Sequence, residues 1–416
     1  MKKAPKIRFD GYTEDWEQCK LSAIITEKLS NGVINKFGTE DSNVKHINVI
    51  NMYTFDKIHI EDLASSSYDE KTIQKCNVEV GDIFMTRSSL KPEGIAEANV
   101  LLDSGRYVFD DHLIRMKVDK SKYDPMFVKI NLGNRMIKMQ FMMRSKTTAF
   151  TTIGQEDISE CEGKFPCIEE QKKISEYFQN IDHLITLHQK ECEKMLDFKK
   201  YMLSKMFPQN GAKVPEIRFE DFTEDWEQRK LGEITDILSA SRVHKEEWKT
   251  EGVPFFRSSD VMAAFKGRSN DKVFISQELF EKLSAISGKP QQGDIFITGG
   301  GSIGTPYIVP NNEPLYSKDA DLIWVKKSEK HDPFYLYSYF VSPAFREYLL
   351  SISHVGTIAH YTIEQVKNTP IFFPHLDEQR KMGQYFKELD HLITLHQRKV
   401  ETYKKMKQYM LRNMFV

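Results

Sequence analysis

Two long stretches of the chain each carry one narrow apolar stripe, and both stretches lack proline. They span residues 169–206 and 377–414. The stripes contain Leu184, His188, Met195, Phe198, Met202 and Met206 in the first stretch, and Leu392, His396, Tyr403, Met406, Met410 and Met414 in the second. Steps of three, four and seven are typical of a helix that packs along another helix. At 1.5 Å per residue, each helix spans roughly 57 Å, so the pattern predicts two long helices.

These stretches belong to an internal repeat. The block that begins at Ile7, IRFDGYTEDWEQCKL, returns at Ile217 as IRFEDFTEDWEQRKL. The octapeptide DHLITLHQ occupies 182–189 and recurs unchanged at 390–397. A period of domain size indicates two copies of one module and excludes a solenoid. Because the two helices are copies, we expect them to pair antiparallel and to relate the copies by a pseudo-twofold axis.

Between the repeated blocks, each copy holds a more divergent body with short apolar runs. A Gly-Asp turn followed by an apolar run occurs at 81–86 and again at 293–298, which predicts one strand in each body. An Asp-Pro pair at 124–125 and at 332–333 is typical of a helix that begins with an N-cap and proline. The bodies are therefore predicted to mix strands and short helices.

The expected fold class is α+β, with two globular mixed α/β domains and two long antiparallel helices as a coiled-coil spacer. We expect a first domain over 1–165, a first spacer helix over 166–209, a second domain over 210–373 and a second spacer helix over 374–416. The alternative is that each helix packs on its own domain, and the narrow stripe favours pairing.

Composition constrains the chain less than the repeat does. The net charge of −1 and the pI near 6.9 exclude a polycation, so any contact with nucleic acid depends on local patches or on a partner. The five cysteines all lie in the first copy, which argues against a duplicated disulfide or zinc framework. With no apolar leader or membrane span in the sequence, we expect a cytoplasmic protein without membrane contact.

Catalytic motifs are not evident. Residues 299–304 match G-x-G-x-x-G, but Thr305-Pro306 and a strand-like run follow where a dinucleotide site needs a helix. The sequence has no P-loop, and the two histidines of each octapeptide lie five residues apart rather than the four of a zinc pair. We expect no catalytic, cofactor-binding or metal-binding residue in this chain.

The chemistry that is present is basic. Between residues 112 and 146, nine Lys or Arg face two Asp, a local excess of +7 on a neutral chain, which indicates a phosphate-facing surface. Loops at strand ends add Arg, Ser and Lys side chains of the types that contact phosphates and base edges. These loops recur at positions that look matched in the two copies.

The repeated blocks resemble the specificity (S) subunit of type I restriction-modification systems. The likeness rests on the leading blocks at 5–21 and 215–231, the Gly-Asp-Ile-Phe strands, the P-x-x-(E/D)-E-Q-(R/K)-K blocks at 166–173 and 374–381, and the octapeptide helices. It covers essentially the whole chain. The resemblance implies two target-recognition domains, each reading one half of a bipartite asymmetric site in double-stranded DNA. The repeated helices would set the spacing, near one helical turn of roughly 34–36 Å, and dock the modification subunits.

The resemblance also implies that catalysis resides in partner chains. These are two methyltransferase (modification) subunits that use S-adenosylmethionine, and restriction (translocase-nuclease) subunits that use ATP and Mg²⁺. This chain would then be no enzyme and hold no cofactor. Two alternatives remain: a self-contained DNA-modifying enzyme, which requires a cofactor site, and a coiled-coil scaffold without sequence-specific DNA binding.

Base-contacting positions do not transfer from the family, because recognition domains differ where specificity differs. The candidates are therefore the loop and basic-run residues of this chain, together with two residues that precede the last repeated blocks. They are Arg87, Ser88, Ser89, Lys91, Arg135, Arg144, Lys146, Arg257, Ser258, Ser259, Arg268, Ser302, His360 and Tyr361.

Overall fold

The fold is described from a computed structural model that covers residues 4–35, 42–54, 56–209, 211–317, 322–352 and 360–415. The chain divides into two compact units. Unit 1 comprises residues 1–189 and 398–416, and unit 2 comprises residues 190–397. Each unit therefore contains the first part of one long helix and the last part of the other.

The first copy of the repeat folds into twelve strands and five helices within the described ranges. In chain order these are β1 (Glu17–Lys20), β2 (Ser30–Asn31), β3 (Val44–Ile47), β4 (Ala64–Ser66), α1 (Glu70–Cys76), β5 (Ile83–Thr86), β6 (Ser88–Ser89), β7 (Ala98–Val100), β8 (Tyr107–Phe109), β9 (Leu113–Met116), α2 (Pro125–Leu132), α3 (Arg135–Arg144), β10 (Lys146–Thr147), β11 (Thr151–Thr152), α4 (Gln155–Ser159), β12 (Glu162–Phe165) and α5 (Ile168–Lys205).

The second copy contributes nine strands and seven helices over the same described ranges. They are β13 (Glu227–Lys230), α6 (Leu231–Ile234), β14 (Ile237–Leu238), β15 (Val253–Phe256), α7 (Ser258–Phe265), β16 (Val273–Ile275), α8 (Gln277–Ser287), β17 (Ile295–Thr298), β18 (Pro306–Ile308), β19 (Tyr316–Ser317), β20 (Leu322–Val325), α9 (Pro333–Val341), α10 (Pro343–Ile352), α11 (Ile363–Lys367), β21 (Pro370–Phe373) and α12 (Leu376–Asn413). Short 3-10 helices connect some of these elements at Leu21–Ala23, Val49–Tyr53, Ile60–Asp62, Pro92–Gly94 and Lys245–Glu247.

The duplication extends to the order of strands in the sheets. Each copy has an antiparallel four-stranded sheet, β2-β9-β5-β7 in the first and β14-β20-β17-β18 in the second. Each also has a three-stranded sheet with one parallel pair, β4-β3-β8 and β16-β15-β19. A further small sheet, β10-β11-β6, belongs to the first copy. Its counterpart segment in the second copy, 353–359, lies outside the described residues.

The predicted turns and helix starts are confirmed. Gly81 and Gly293 both adopt φ of +93°, which a side chain tolerates poorly, and the four residues of β5 and of β17 that follow are all buried. Asp124 accepts a hydrogen bond from the backbone N–H of Phe127 at 2.8 Å, and Asp332 caps its helix in the same way. Local sequence therefore determines these elements.

The leading blocks recur because each fastens the start of its body to the start of a long helix. The guanidinium of Arg8 donates two hydrogen bonds of 2.7 Å to the carboxylate of Glu170. Arg218 makes the same bidentate contact with Glu378 at 2.7 and 2.8 Å. Both glutamate side chains are 0% exposed, so each would be a buried unpaired charge without its arginine.

The long helices pair antiparallel within each unit, as predicted. In unit 1 the His188 ring stacks on the Tyr403 ring at 5.8 Å, while Lys407 donates to Asp182 at 2.6 Å. As the residue number rises from 182 to 188 on α5, the number of its partner on α12 falls from 407 to 403, so the two helices run in opposite directions. In unit 2, Lys199 donates to Asp390 at 2.5 Å. The expected fold class, α+β with an internal repeat and two long antiparallel helices, is confirmed.

The predicted apolar stripe is confirmed in part, since Met206 and Met414 are each 2% exposed and Tyr403 packs with the buried residues between the helices. Phe198 is 47% exposed and Leu392 is 39% exposed, although both were assigned to the stripe. The buried apolar positions on the two helices instead include Ile181, Ile185, Cys192, Ile393 and Val400. The error arose because Leu184 and Leu392 are each followed four residues later by a stripe histidine, so the spacing alone fits two phases.

None of the helices within the described ranges is both long enough and apolar enough to cross a bilayer. The four domain boundaries predicted from the sequence stay a prediction.

Candidate nucleic-acid interface

Several predicted contact residues of the first body meet on the small sheet β10-β11-β6. Lys146 pairs with Thr152, and Thr152 pairs with Ser88 in the next strand. Ser89 pairs with Thr151. The sheet therefore joins two loops that are distant in the sequence. We call the candidate residues gathered there the first loop cluster: Arg87, Ser88, Ser89, Lys91, Arg144 and Lys146.

Backbone contacts hold the first loop cluster in place. The carbonyl oxygen of Arg87 accepts a hydrogen bond from Ile153 N–H at 3.0 Å, and its own N–H donates to His112 O at 3.0 Å. Its side chain is exposed apart from a 3.3 Å bond to the carbonyl of Asp111. A Cβ on Gly94 would lie 2.4 Å from Ser89 Oγ. The loop after β5 is therefore packed closely between Ser89 and Gly94, while the guanidinium of Arg87 stays accessible to solvent.

Asp110, Asp111 and His112 lie beside this cluster, with ligand-type atoms within 4.8 Å of one another. Nδ1 of His112 lies 3.0 Å from Asp110 and 3.1 Å from Asp111. These histidine–carboxylate contacts account for the arrangement, and the three residues add hydrogen-bonding groups next to Arg87.

The basic run does not form one phosphate-facing surface, so that part of the prediction is wrong. The side chains of Arg115 on β9 and of Lys117, the residue that follows this strand, are each 6% exposed. Lys117 donates to Glu79 at 3.0 Å, and Lys138 donates to Glu97 at 2.7 Å. The charge count missed these pairs because the acidic partners lie outside the window of sequence that was counted.

Arg135 lies away from the first loop cluster, at the start of α3. It lines a separate cleft of about 760 Å³ in unit 1, together with Lys129, Lys407 and Arg412. Burial lowers the pKa of Lys129 to about 8, and the nearby Lys407 ammonium adds to this effect. The cleft is cationic, but it is distinct from the small sheet.

In the second body, the loop after β17 takes the place of the first loop cluster. The carbonyl oxygen of Gly299 accepts a hydrogen bond from Tyr361 N–H at 2.7 Å, which corresponds to the bond between Arg87 and Ile153 in the first body. Ser302 and His360 are exposed on the two segments that this bond joins. We call Gly299, Ser302 and His360 the second loop cluster.

The conformation of this loop is fixed by local bonds. Thr298 Oγ1 donates to Ser302 O at 2.5 Å and accepts from Thr305 N–H at 3.0 Å. Gly304 has φ of +71°, and a Cβ there would lie 2.4 Å from Leu349 Cδ1. The glycines therefore shape a loop between strands, as predicted.

Tyr361 is not part of the interface, which corrects the prediction. Its side chain is 1% exposed, and its ring lies 5.9 Å from that of Phe345. Its hydroxyl hydrogen-bonds with the hydroxyl of Thr369, and burial raises the pKa of Tyr361 far above its usual value. The aromatic side chain belongs to the core because Tyr361 occupies the position of Ile153.

Arg257, Ser258 and Ser259 are not the counterparts of Arg87, Ser88 and Ser89. They follow β15 of the three-stranded sheet, whereas the first triplet follows β5 of the four-stranded sheet. The two Arg-Ser-Ser triplets therefore do not share a structural position, and the counterpart of the loop after β5 is the glycine-rich loop after β17.

Arg257 also has structural partners. Its guanidinium donates to Asp260 at 2.8 Å and to the carbonyl of Asp271 at 2.6 Å, and it lies 5.6 Å from the Trp248 ring centroid. Ser259 Oγ accepts from Asn270 at 3.1 Å. Arg268 is exposed beyond the end of α7. This segment is separate from the second loop cluster.

Sequence reasoning missed two residues at the edge of the first loop cluster. Leu90 is 81% exposed and Phe150 is 52% exposed. The available signal for Phe150 was a single phenylalanine in a threonine-rich run that follows Arg144 and Lys146. One apolar residue without a periodic pattern gives no prediction of exposure.

Comparison with known proteins identifies the class. The family model described as "Type I restriction modification DNA specificity domain" matches residues 13–195 and again residues 223–403. The two matches cover most of the chain and follow the repeat. The chain belongs to this family, which confirms the resemblance found in the sequence.

Individual relatives agree with this assignment. The chain is 26% identical over 345 residues to the type I restriction enzyme MjaVIII specificity subunit of Methanocaldococcus jannaschii, covering 79% of this chain and 74% of the relative. It is 25% identical over 421 residues to a putative type I restriction enzyme MjaX specificity subunit of the same organism, covering 97% and 93%. The crystal structure of a type I restriction-modification S subunit from M. genitalium has a similar fold, with a TM-score of 0.60, 14% identity and 99% of each chain covered.

Proposed function

We propose that this chain is the non-catalytic DNA sequence-recognition subunit of a type I restriction-modification complex, in which each variable body reads one half of a bipartite asymmetric site. One observation carries the proposal. The same backbone hydrogen bond, Ile153 to Arg87 in one copy and Tyr361 to Gly299 in the other, holds a loop of different chemistry in each copy. A shared frame with different loops is what a protein needs to read two different half-sites.

The two loop clusters differ in the contacts that they offer. The first combines exposed Arg and Lys side chains with serine hydroxyls, which suit phosphates and the acceptor atoms of guanine. The second offers Ser302, His360 and a glycine-rich backbone, and the half-buried Arg346 donates to the carbonyl oxygen of Ile303 in the same loop at 3.0 Å. We infer that unit 1 contributes more of the electrostatic attraction to DNA than unit 2.

The long helices suit a role in spacing and in docking methyltransferase subunits. Each is 38 residues long, and each pairs with the other within both units. Both also leave large apolar side chains in solvent, as a surface for a partner chain requires: Leu187, Leu196, Phe198, Tyr201, Leu392 and Leu395 are each at least 39% exposed. Two modification subunits with S-adenosylmethionine, and restriction subunits with ATP and Mg²⁺, would supply the chemistry.

A domain exchange tests the proposal. Residues 20–165 are replaced by the variable body of another specificity subunit, and the hybrid is co-expressed with the cognate methyltransferase subunit. Mapping methylated bases across the genome should show one half-site changed and the other retained. The reciprocal exchange of 230–373 is the matched control and should change the other half-site.

Two results would contradict the proposal. Methylation unchanged in both hybrids would favour a scaffold whose bodies do not read DNA. Methyl transfer by the purified chain alone would favour a self-contained modifying enzyme.

A further inference from the structure

The outer edge of the first loop cluster carries a pair of exposed apolar side chains. Leu90 and Phe150 each lie one residue beyond the strand pair formed by Ser89 and Thr151. Both residues therefore lie at the same end of this strand pair, where each chain bends away from the ladder. Single exposed apolar residues are common on protein surfaces. Two large ones at the same end of one small sheet are less common, and we call Leu90 and Phe150 the wedge.

The wedge stands on a hairpin whose tip is hydrogen-bonded. Thr148 N–H donates to the carbonyl oxygen of Phe150 at 3.0 Å. The hydroxyls of Thr147 and Thr151 lie 3.1 Å apart across the hairpin. Phe150 is therefore held outward by its backbone, and little conformational entropy is lost when it meets a ligand.

Positive charge surrounds the wedge. Glu93 is an exposed acid in the loop that follows Ser89, and the nearby Glu160 is already bound by Lys20 at 2.5 Å. Asp110 and Asp111 also lie beside the first loop cluster, where both contact His112. Against these stand four exposed cations of the first loop cluster: Arg87, Lys91, Arg144 and Lys146. The rim therefore favours a polyanion.

We propose that Phe150 and Leu90 enter between adjacent base pairs of the half-site bound by unit 1 and unstack one step, while the surrounding cations hold the flanking phosphates. This inference rests on the proposed function and adds a mechanism to it. Apolar side chains inserted between base steps partly unstack them, and the cost is recovered through added contacts. A protein partner suits the wedge less well, because two side chains fall far short of the roughly 800 Å² that each partner buries in a stable interface.

The test uses the complex of this chain with its methyltransferase subunits and duplexes that contain the mapped site. 2-Aminopurine, whose fluorescence rises on unstacking, is placed at successive positions of the half-site read by residues 20–165. We expect a rise at one step on binding. Phe150→Ala should abolish the rise and weaken binding on the order of tenfold, as the loss of one stacked base does. Phe150→Trp should restore both.

Ile286→Ala provides the matched control, because Ile286 is an apolar residue of unit 2 that is 72% exposed and lies outside both loop clusters. It should leave fluorescence and affinity unchanged.

The inference is overturned if Phe150→Ala keeps the full rise in fluorescence and the full affinity for DNA, or if no 2-aminopurine position brightens while site-specific binding persists. Release of methyltransferase subunits by Phe150→Ala in size-exclusion chromatography would also overturn it, since the wedge would then be a protein contact. Failure of the unlabelled duplex to compete better than random DNA would refute the proposed function itself.

Discussion

Asp82 and Asp294 occupy the same turn in the two copies, but their carboxylates accept different numbers of hydrogen bonds. Asp294 accepts hydrogen bonds from the N–H groups of Gln291 and Lys327, both at 2.8 Å. Asp82 accepts one hydrogen bond, from Glu79 N–H at 3.0 Å, and its Oδ2 lies 3.9 Å from the guanidinium of Arg115. Its Oδ1 has no hydrogen-bond partner among the described residues. Asp82 is 0% exposed, and this burial raises its pKa to about 6.

The raised pKa makes the Asp82 charge a cost to stability at neutral pH. The pKa of an aspartate in an unfolded chain is near 3.9. A folded pKa of about 6 therefore means that ionised Asp82 makes the folded state about 3 kcal/mol less stable than protonated Asp82 does, at 1.36 kcal/mol per pKa unit. The folded chain binds the Asp82 proton more tightly than the unfolded chain does. Protonation of Asp82 therefore stabilises the fold below about pH 4, and this stabilisation is lost as the pH rises through about 6. We expect Asp82→Asn to raise the free energy of unfolding by about 1–3 kcal/mol near pH 8 and to change it little near pH 4.

The two units can be followed separately by urea denaturation with a short deuterium pulse and mass spectrometry. Peptides that contain β5 report on unit 1, and peptides that contain β17 report on unit 2. Asp294→Asn is the matched control. It places an NH₂ group against an N–H donor, so we expect a loss of about 1–3 kcal/mol in unit 2 near pH 8. If Asp82→Asn destabilised β5 near pH 8 as much as Asp294→Asn destabilised β17, the reasoning would be refuted.

Three further substitutions test other contacts. Lys407→Met removes the ammonium that donates to Asp182, while the nearby Lys129 still favours the carboxylate, and should lower the free energy of unfolding by about 1–3 kcal/mol; a thermal unfolding curve that matches the unsubstituted protein would contradict this. Tyr361→Phe removes the hydroxyl that bonds Thr369 and should cost about 1–2 kcal/mol without altering the methylated sequence, and a changed sequence would return Tyr361 to the interface. Arg87→Ala should weaken DNA binding by the assembled complex by about 1–3 kcal/mol, measured as Kd by fluorescence anisotropy, whereas an unchanged Kd would exclude Arg87 from the interface.

Local patterns in the sequence were sufficient to predict the frame. Positive φ at Gly81 and Gly293 follows from glycine beside aspartate, and both helix caps follow from Asp-Pro pairs. The two long helices were expected at 169–206 and 377–414, and each begins and ends one residue earlier. These features depend on neighbours in the sequence, which is why they were predictable.

The errors came from contacts between residues far apart in the sequence. Lys117 counted as a phosphate ligand, but its partner Glu79 is 38 residues away. Tyr361 was predicted to contact DNA because it precedes the last repeated block, yet its side chain packs against Phe345 in the core. The exposure of Phe150 depends on the pairing of two short strands that no periodic pattern announces. Charge and residue type alone do not distinguish a surface cation from a buried ion pair.

Each variable body lies between two segments that contact each other directly, through Arg8 and Glu170 in the first copy and through Arg218 and Glu378 in the second. In both copies these ion pairs are formed by residues of the repeated blocks and not by residues of the variable body. We therefore expect that one variable body can replace another between the same flanking segments, because the two Arg–Glu contacts do not depend on the residues between them. Under the proposed function, a new DNA target would then need no compensating mutation in the repeated segments.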